Sequence, residues 1–286
     1  MTSQIKTVFL LALLSALIIG LGALLGGRTG IIIALGLALL MNVGSYWYSD
    51  KIVLSMYRAR PLDAYEAPAL HRMVEELAHH AAIPKPRICV IPEEAPNAFA
   101  TGRDPAHGVV AVTEGIMRLL SPEELRGVLA HEIAHIANRD ILVQTVAGVM
   151  ASAIVSIANM MQFMAIFGGN RNNSGSGGSG NVIVALLMAV LAPIAASIIQ
   201  MAISRSREYL ADDTGAALSG QPLALAGALA KLQNANQRVP MRAGNAATSS
   251  MFIVAPFSAG SAAKWFSTHP PIEERIARLQ ALARNR

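Results

Sequence analysis

The residues with the clearest chemical potential are His131-Glu132-Ile133-Ala134-His135. Two histidines four residues apart fall one turn apart on the same face of a helix, so both imidazoles can reach a single ion. Glu132 is placed to touch a water held by that ion. The arrangement suits zinc-assisted hydrolysis: zinc lowers the pKa of a water to about 7, and the carboxylate takes its proton as the water attacks a peptide carbonyl. The competing explanation is two surface histidines on a charged helix. Leu125, Val128, Leu129 and Ile136 oppose it, because they make the helix largely apolar and leave its polar residues in need of a purpose.

A third ligand is available in Arg207-Glu208-Tyr209-Leu210-Ala211-Asp212. Glu208 completes a His131, His135, Glu208 set for one zinc ion per chain and leaves a fourth position open. Asp212 lies one helical turn further on and can accept the second ring N–H of a ligand histidine, fixing its tautomer. A pair of carboxylates four apart is more often a solvated helix face. Here the topology argues otherwise. Five residues separate His135 from an apolar segment beginning at Ile141, and Glu208 lies five residues after another ends at Ile203. A hairpin of two such segments returns both halves of the site to one side. Asp213 is the competing carboxylate, but it lies off the Glu208 face.

Several elements must position these groups. Ser121-Pro122-Glu123-Glu124 reads as a helix start, with a Ser N-cap, Pro in the first turn and Glu three residues after the cap. Upstream, Pro68 to Ala82 reads as an amphipathic helix with Leu70, Val74, Leu77 and Ala81 on one face. Arg87 to Ile91 and Gly108 to Val112 read as strands, with Asn97 to Gly102 as a short extended piece between them. Downstream, helices are expected near Ser204–Leu218, near Ala224–Asn234 and from Pro271 onward, the last with Ile272, Ile276, Leu279 and Leu282 as its apolar face. The stretch leading to about Ser261 reads as mobile.

The rest of the chain is apolar. Of 286 residues, 53% are hydrophobic and only 14% charged, against about 25% charged in ordinary soluble domains. Four segments reach the roughly 20 residues that a spanning helix needs: Ile5 to Leu25, Ile31 to Tyr48, Ile141 to Phe167 and Val182 to Ile203. The second ends in the interfacial aromatics Tyr46, Trp47 and Tyr48. A Gly/Ser/Asn-rich loop, Gly168 to Gly180, joins the last two. The first segment could instead be a cleaved signal peptide, but it is long for one and a second apolar run follows at once. Lys6, Lys51, Arg58, Arg60, Arg139, Arg205 and Arg207 flank one side of the spans, and only Arg28 and Arg171 the other. The positive-inside rule then places the polar regions and both termini in the cytoplasm. The basic balance, +5 formally, is explained by this topology, and no nucleic-acid partner is expected. Cys89 is the lone cysteine, which excludes an intrachain disulfide.

Four parts follow: residues 1–50 as an N-terminal transmembrane hairpin, 51–140 as the first part of a catalytic domain, 141–203 as a second hairpin, and 204–286 as the second part of that domain. The expected fold class is α+β, with four membrane helices and a cytoplasmic, mainly helical domain carrying a small sheet.

The HExxH segment, Glu208 to Asp212 and His269-Pro270 resemble the HtpX group of the M48 membrane metallopeptidases and, more distantly, the Ste24 CAAX-type proteases. The resemblance covers nearly the whole chain, including the order of two spans, HExxH, two spans, ExxxD. It implies a gluzincin-type catalytic fold in the inner (cytoplasmic) membrane, with Glu132 as general base. It implies quality-control proteolysis of membrane-protein or unfolded polypeptide substrates, alongside other membrane quality-control proteases. It adds Asn97, Ala98, Phe99, Ala100 and Thr101 as a segment beside the cleft, where an extended edge could pair with a substrate strand. It also adds His269 and Arg275 near the metal, with His269 able to donate to the oxyanion. Read without the resemblance, the first is a plain turn and strand, Arg275 a solvated charge and His269 a helix-start residue. Two rivals stand outside proteolysis. One is a membrane scaffold or chaperone with a structural zinc, which would need no base and is usually closed by four protein ligands. The other is a transporter, which would leave HExxH unexplained.

Overall fold

The computed structural model describes residues 3–149, 205–241, 248, 251–254 and 270–285. The chain opens with α1 (Ser3–Met56), which is broken at Gly27, where φ is 55° and ψ −134°. Glycine takes this conformation without the Cβ clash that any other residue would meet. The two arms run back along one another, and Asn42 Nδ2 donates to Ser15 Oγ across them at 2.8 Å. The second arm, Gly27–Met56, is long and apolar enough to cross a membrane, with a mean hydropathy of 1.7. Ile32 and Leu40 on it are 72% and 70% exposed, so nothing among the described residues covers that face. The first arm carries a shorter apolar stretch, Leu11–Gly20. Residues 141–149 are helical. The remainder of the expected third span, the Gly-rich loop and the fourth span lie outside the described residues.

The second arm does not stop at Tyr48, where the aromatic triplet suggested its end, but continues to Met56. The cause is packing beyond the apolar run. Val53 and Leu54, with Tyr57 just after the helix, are buried against Cys89, Phe99 and Phe252, so the last turns are held by the polar domain.

That domain is mixed α+β, mostly helical with a small four-stranded sheet. Its elements are β1 (Arg60–Pro61), α2 (Pro68–His80), β2 (Arg87–Ile91), β3 (Ala98–Thr101), β4 (Val109–Thr113), α3 (Glu114–Leu119), α4 (Pro122–Ala137), α5 (Arg205–Ser219), α6 (Pro222–Arg238) and α7 (Ile272–Arg284). The strand order is β1-β2-β4-β3. β2 and β4 are parallel, and β3 runs antiparallel to β4 with Ala100 opposite Val110. The two-residue β1 and six-residue α3 are too short to show a period in sequence. Each rests on context: β1 on pairing with β2, α3 on Thr113, whose hydroxyl accepts from the Ile116 N–H at 3.1 Å.

One core joins segments far apart in the chain. Val74 and Leu77 from α2, Val110 from β4, Val128 and Leu129 from α4, Leu225 and Leu229 from α6 and Leu279 from α7 are all buried in it. The site helix α4 thus lies in the middle of the domain. Its start carries the expected capping box: Glu124 N–H donates to Ser121 Oγ at 3.3 Å, and Ser121 N–H to Glu124 Oε2 at 2.9 Å.

Candidate metal centre

His131, Glu132 and His135 are buried on α4, 1%, 1% and 4% exposed. Facing them, α5 brings Glu208 and Asp212, each 1% exposed. The close approach of the two helices depends on Gly215. A Cβ there would stand 2.9 Å from the His131 backbone nitrogen and 3.0 Å from its Cα, so any larger residue would push α5 off α4.

His131, His135 and Glu208 each offer a ligand atom, all within 4.8 Å of one another. The two Nε2 atoms are 3.2 Å apart. Glu208 lies 3.8 Å from His131 Nε2 and 3.6 Å from His135 Nε2. Ligand atoms ~2.1 Å from a tetrahedral ion stand about 3.4 Å from one another. The three side chains therefore fit a small tetrahedral cation with little movement, and the donor set is of the kind that leaves one position open.

The outer nitrogens of both imidazoles face carboxylates. His131 Nδ1 is 3.0 Å from Asp212 Oδ1. Arg275, fully buried on α7, clamps Asp212 from behind through Nε at 2.8 Å and Nη2 at 2.7 Å. It also donates to the Ile253 carbonyl at 2.9 Å. His135 Nδ1 faces Asp140 at 3.6 Å, and Asp140 in turn faces Arg207, also at 3.6 Å.

Burial sets the electrostatics. It lowers the His131 pKa to about 4, so the ring is neutral and able to bind metal. It pushes Glu132 up to about 7, close to the pKa that a general base needs at neutral pH. Burial would also raise Asp212, but Arg275 and His131 outweigh it and hold that carboxyl at about 2. At His135 burial acts downward, yet the charge of Glu208 and the contact with Asp140 prevail and the net shift is upward.

The Asn97–Thr101 segment lies beside this cluster. Thr113 N–H donates to the Asn97 carbonyl, and backbone groups of an antiparallel strand alternate in direction. Ala98 and Ala100 thus present theirs to the outer edge of β3. Both positions are engaged: the Ala98 carbonyl accepts from Ile253 N–H at 3.1 Å, and Ala100 N–H bonds the Glu132 carboxylate. Phe99 meets Phe252 edge to face, with ring centroids 5.0 Å apart. Asn97 donates from Nδ2 to the Val254 carbonyl at 2.7 Å, and Thr101 pairs with Thr145 at 3.0 Å.

The structure thus brings together His131, Glu132, His135, Glu208, Asp212, Arg275 and the 97–101 segment, while Asp213 lies apart on the surface with Arg278 at 3.2 Å. His269 lies outside the described residues. Sequence reasoning did not single out Asp140, Arg207 or the Ile253 carbonyl. Asp140 left a faint signal, an acidic residue just past the end of the HExxH helix; a backbone carbonyl leaves none.

The family model for Peptidase family M48 matches residues 64–283. The chain belongs to that family. This M48 chain is 55% identical over 282 residues to a protein named Protease HtpX homolog from Syntrophobacter fumaroxidans, covering 99% of this chain and 100% of the relative. It is 53% identical to one of the same name from Pyrococcus furiosus, over 98% and 96%. A solved structure, that of S. mikatae Ste24p, aligns with a TM-score of 0.50 at 21% identity. That alignment covers 87% of this chain and 57% of the Ste24p chain, and it bears on the fold alone. Family membership makes the protein a membrane-associated metalloprotease and implies a metal, which the histidine and glutamate cluster fits.

Proposed function

We propose that this M48 peptidase is a zinc-dependent endopeptidase of the cytoplasmic membrane, held there by four helices in two hairpins. Its gluzincin-type catalytic domain and both termini face the cytoplasm. The observation that carries the proposal is the position of Glu132: buried on the ligand helix, between two of three converging ligand side chains. A structural metal site has no use for such a group.

His131, His135 and Glu208 would hold the zinc. When bound, zinc supplies Lewis acidity that acidifies a water and polarises the scissile carbonyl. Glu132 takes the proton from the attacking water at its carboxylate and passes it to the leaving amine nitrogen. Asp212 fixes the His131 ring with Nε2 toward the metal, and Arg275 holds Asp212 ionised. His269 donates a hydrogen bond to the charge that develops on the substrate carbonyl oxygen. Asn97 to Thr101 receive the substrate strand by edge addition along β3. Because Ile253 occupies Ala98 and Glu132 the Ala100 N–H, a substrate strand entering there displaces the 251–254 segment and frees the Glu132 carboxylate from Ala100. The substrates are membrane proteins or unfolded polypeptides removed in quality control, alongside other membrane quality-control proteases, as the family resemblance implies.

Two experiments test this. Glu132→Gln keeps the ligands and removes the proton acceptor, so zinc content should stay near one per chain while casein hydrolysis by detergent-purified protein is lost. Near-normal turnover would exclude Glu132 as the base. For topology, a reporter fused after Arg286 should read cytoplasmic and one within 175–180 the opposite side; a cytoplasmic reading from both would mean that the second hairpin does not span.

A further inference from the structure

Where α1 meets the sheet, a cavity of about 490 Å³ opens that hydrolysis does not use. Trp47, Tyr48 and Lys51 line it from α1, and Lys85, Arg87 and Arg103 from the polar domain. Four permanent cations therefore face a single lining carboxylate, Asp50. Asp50 is already committed to Arg87 at 3.0 Å. Lys85 reaches outward to Glu75 at 2.8 Å. Two cations remain over aromatic faces: the Arg103 guanidinium is 4.9 Å from the Trp47 ring, and the Lys51 ammonium 5.3 Å from that of Tyr48. Arg103 has Asp104 at 3.6 Å and also donates to Nε2 of His107, which lines the cavity beside it. Among the described residues Lys51 forms no ion pair.

Depth decides what such a cavity is for. Residues 29–49 contain no charged side chain, and Ile32, Leu39, Leu40 and Val43 leave that arm apolar and exposed. Trp47 and Tyr48 are 51% and 53% exposed, and Asp50 and Lys51 are the first charges beyond them. An amphipathic aromatic pair followed by charge marks the boundary between hydrocarbon and water. The cavity opens at that boundary, with cations on the watery side and, on the other, an apolar helix face that no described residue covers. A small soluble anion would use only the first half of this arrangement, whereas a two-part ligand uses both.

We propose that this cavity binds the headgroup of an anionic phospholipid, its phosphodiester between Lys51 and Arg103 and its acyl chains along the exposed face of α1. The proposal rests on the reading of α1 as a membrane anchor and is independent of catalysis.

Full-length protein in neutral detergent is titrated with phosphatidylglycerol, phosphatidylcholine and inorganic phosphate. Unfolding temperature is followed together with lipid retained in native mass spectrometry. Phosphatidylglycerol should raise the unfolding temperature and be retained at concentrations roughly tenfold below phosphatidylcholine, and the preference should weaken with salt. Inorganic phosphate should do neither. Lys51→Gln with Arg103→Gln should abolish the preference, while Lys51→Arg with Arg103→Lys keeps it. Should the double glutamine variant fail to fold, Lys51→Gln alone, at an exposed position, is expected to reduce the preference. An undiminished preference in the glutamine variant that folds, or an equal response to phosphatidylcholine, overturns the proposal. An equal response to inorganic phosphate overturns the lipid assignment. Casein hydrolysis and detergent-free extraction are read in parallel: loss of the first counts against the protease alone, and a chain soluble without detergent counts against the anchor.

Discussion

The two histidines of the HExxH helix are equivalent in sequence and unequal in support. On the His131 side, Asp212 stands 3.0 Å from Nδ1 and is gripped twice by Arg275. All three groups are almost wholly buried. On the His135 side, Asp140 stands 3.6 Å away, and the Arg207 nitrogens behind it make no hydrogen bond among the described residues. The difference follows from where each carboxylate is anchored. Asp212 sits on α5 one turn after Glu208, so the ligand carboxylate and the orienting carboxylate are set by one rigid element. Asp140 follows the end of α4, where Arg139 has a φ of 58° and the Asp140 N–H returns to the His135 carbonyl at 3.0 Å. One ring faces a carboxylate set by tertiary packing, the other a carboxylate set by its own chain neighbours.

The largest expected effect belongs to the group that serves both rings. Glu208→Ala should lower zinc affinity by more than about a hundredfold, beyond what outer-sphere changes cost. Asp213→Ala, whose carboxylate among the described residues meets only Arg278 at the surface, should leave zinc content unchanged. Competition with a chromophoric chelator measures both. The reverse result would mean that the wrong carboxylate has been assigned. Next comes Asp212→Asn, expected to cost about 10- to 100-fold in zinc affinity, with Arg275 left buried beside a neutral amide.

A backbone effect ranks third. Gly215→Ala puts a Cβ within 3.0 Å of the His131 backbone. Overpacking of this kind costs about 1–3 kcal/mol, and it pushes Glu208 and Asp212 away from the histidines together. Gly227 on α6 is the control: among the described residues a Cβ there meets only the end of the Glu124 side chain, at 3.3 Å. Gly227→Ala should be neutral or stabilising, by up to about 1 kcal/mol. Thermal unfolding and zinc content of the two variants should therefore part company, and equal destabilisation would deny Gly215 its role at the helix contact.

What sequence made legible was local. The capping box at Ser121, the face of α2 and the one-turn spacings on α4 and α5 are each written within a few residues. Arg275 was harder: one charge on an amphipathic helix reads as solvated unless its partner is known, and Asp212 is 63 residues away. The engagement of the outer edge of β3 by Ile253 was invisible, because it uses a backbone N–H and carbonyl common to every residue but proline. The continuation of α1 to Met56 was hidden for another reason: Val53, Leu54 and Tyr57 are held by residues distant in the chain, Cys89, Phe99 and Phe252.

The smallest expected effect tests the comparison most sharply. Asp140→Asn removes the charge that faces both His135 and Arg207 but keeps its size and a hydrogen-bond acceptor. At 3.6 Å the contact with His135 Nδ1 is longer than a good N–H···O bond, so the ring gains little orientation from it. Zinc affinity should fall by no more than about threefold, below the range for a well-bonded outer-sphere partner. Stability should respond more than affinity, because Arg207 would keep its charge at 13% side-chain exposure with no carboxylate opposite, and a buried charge stripped of its partner is costly. Adding Arg207→Met should restore much of that stability and leave zinc binding where Asp140→Asn put it. If Asp140→Asn instead lowers zinc affinity as far as Asp212→Asn does, the two flanks are energetically alike when metal is bound, and the 3.6 Å separation closes on binding.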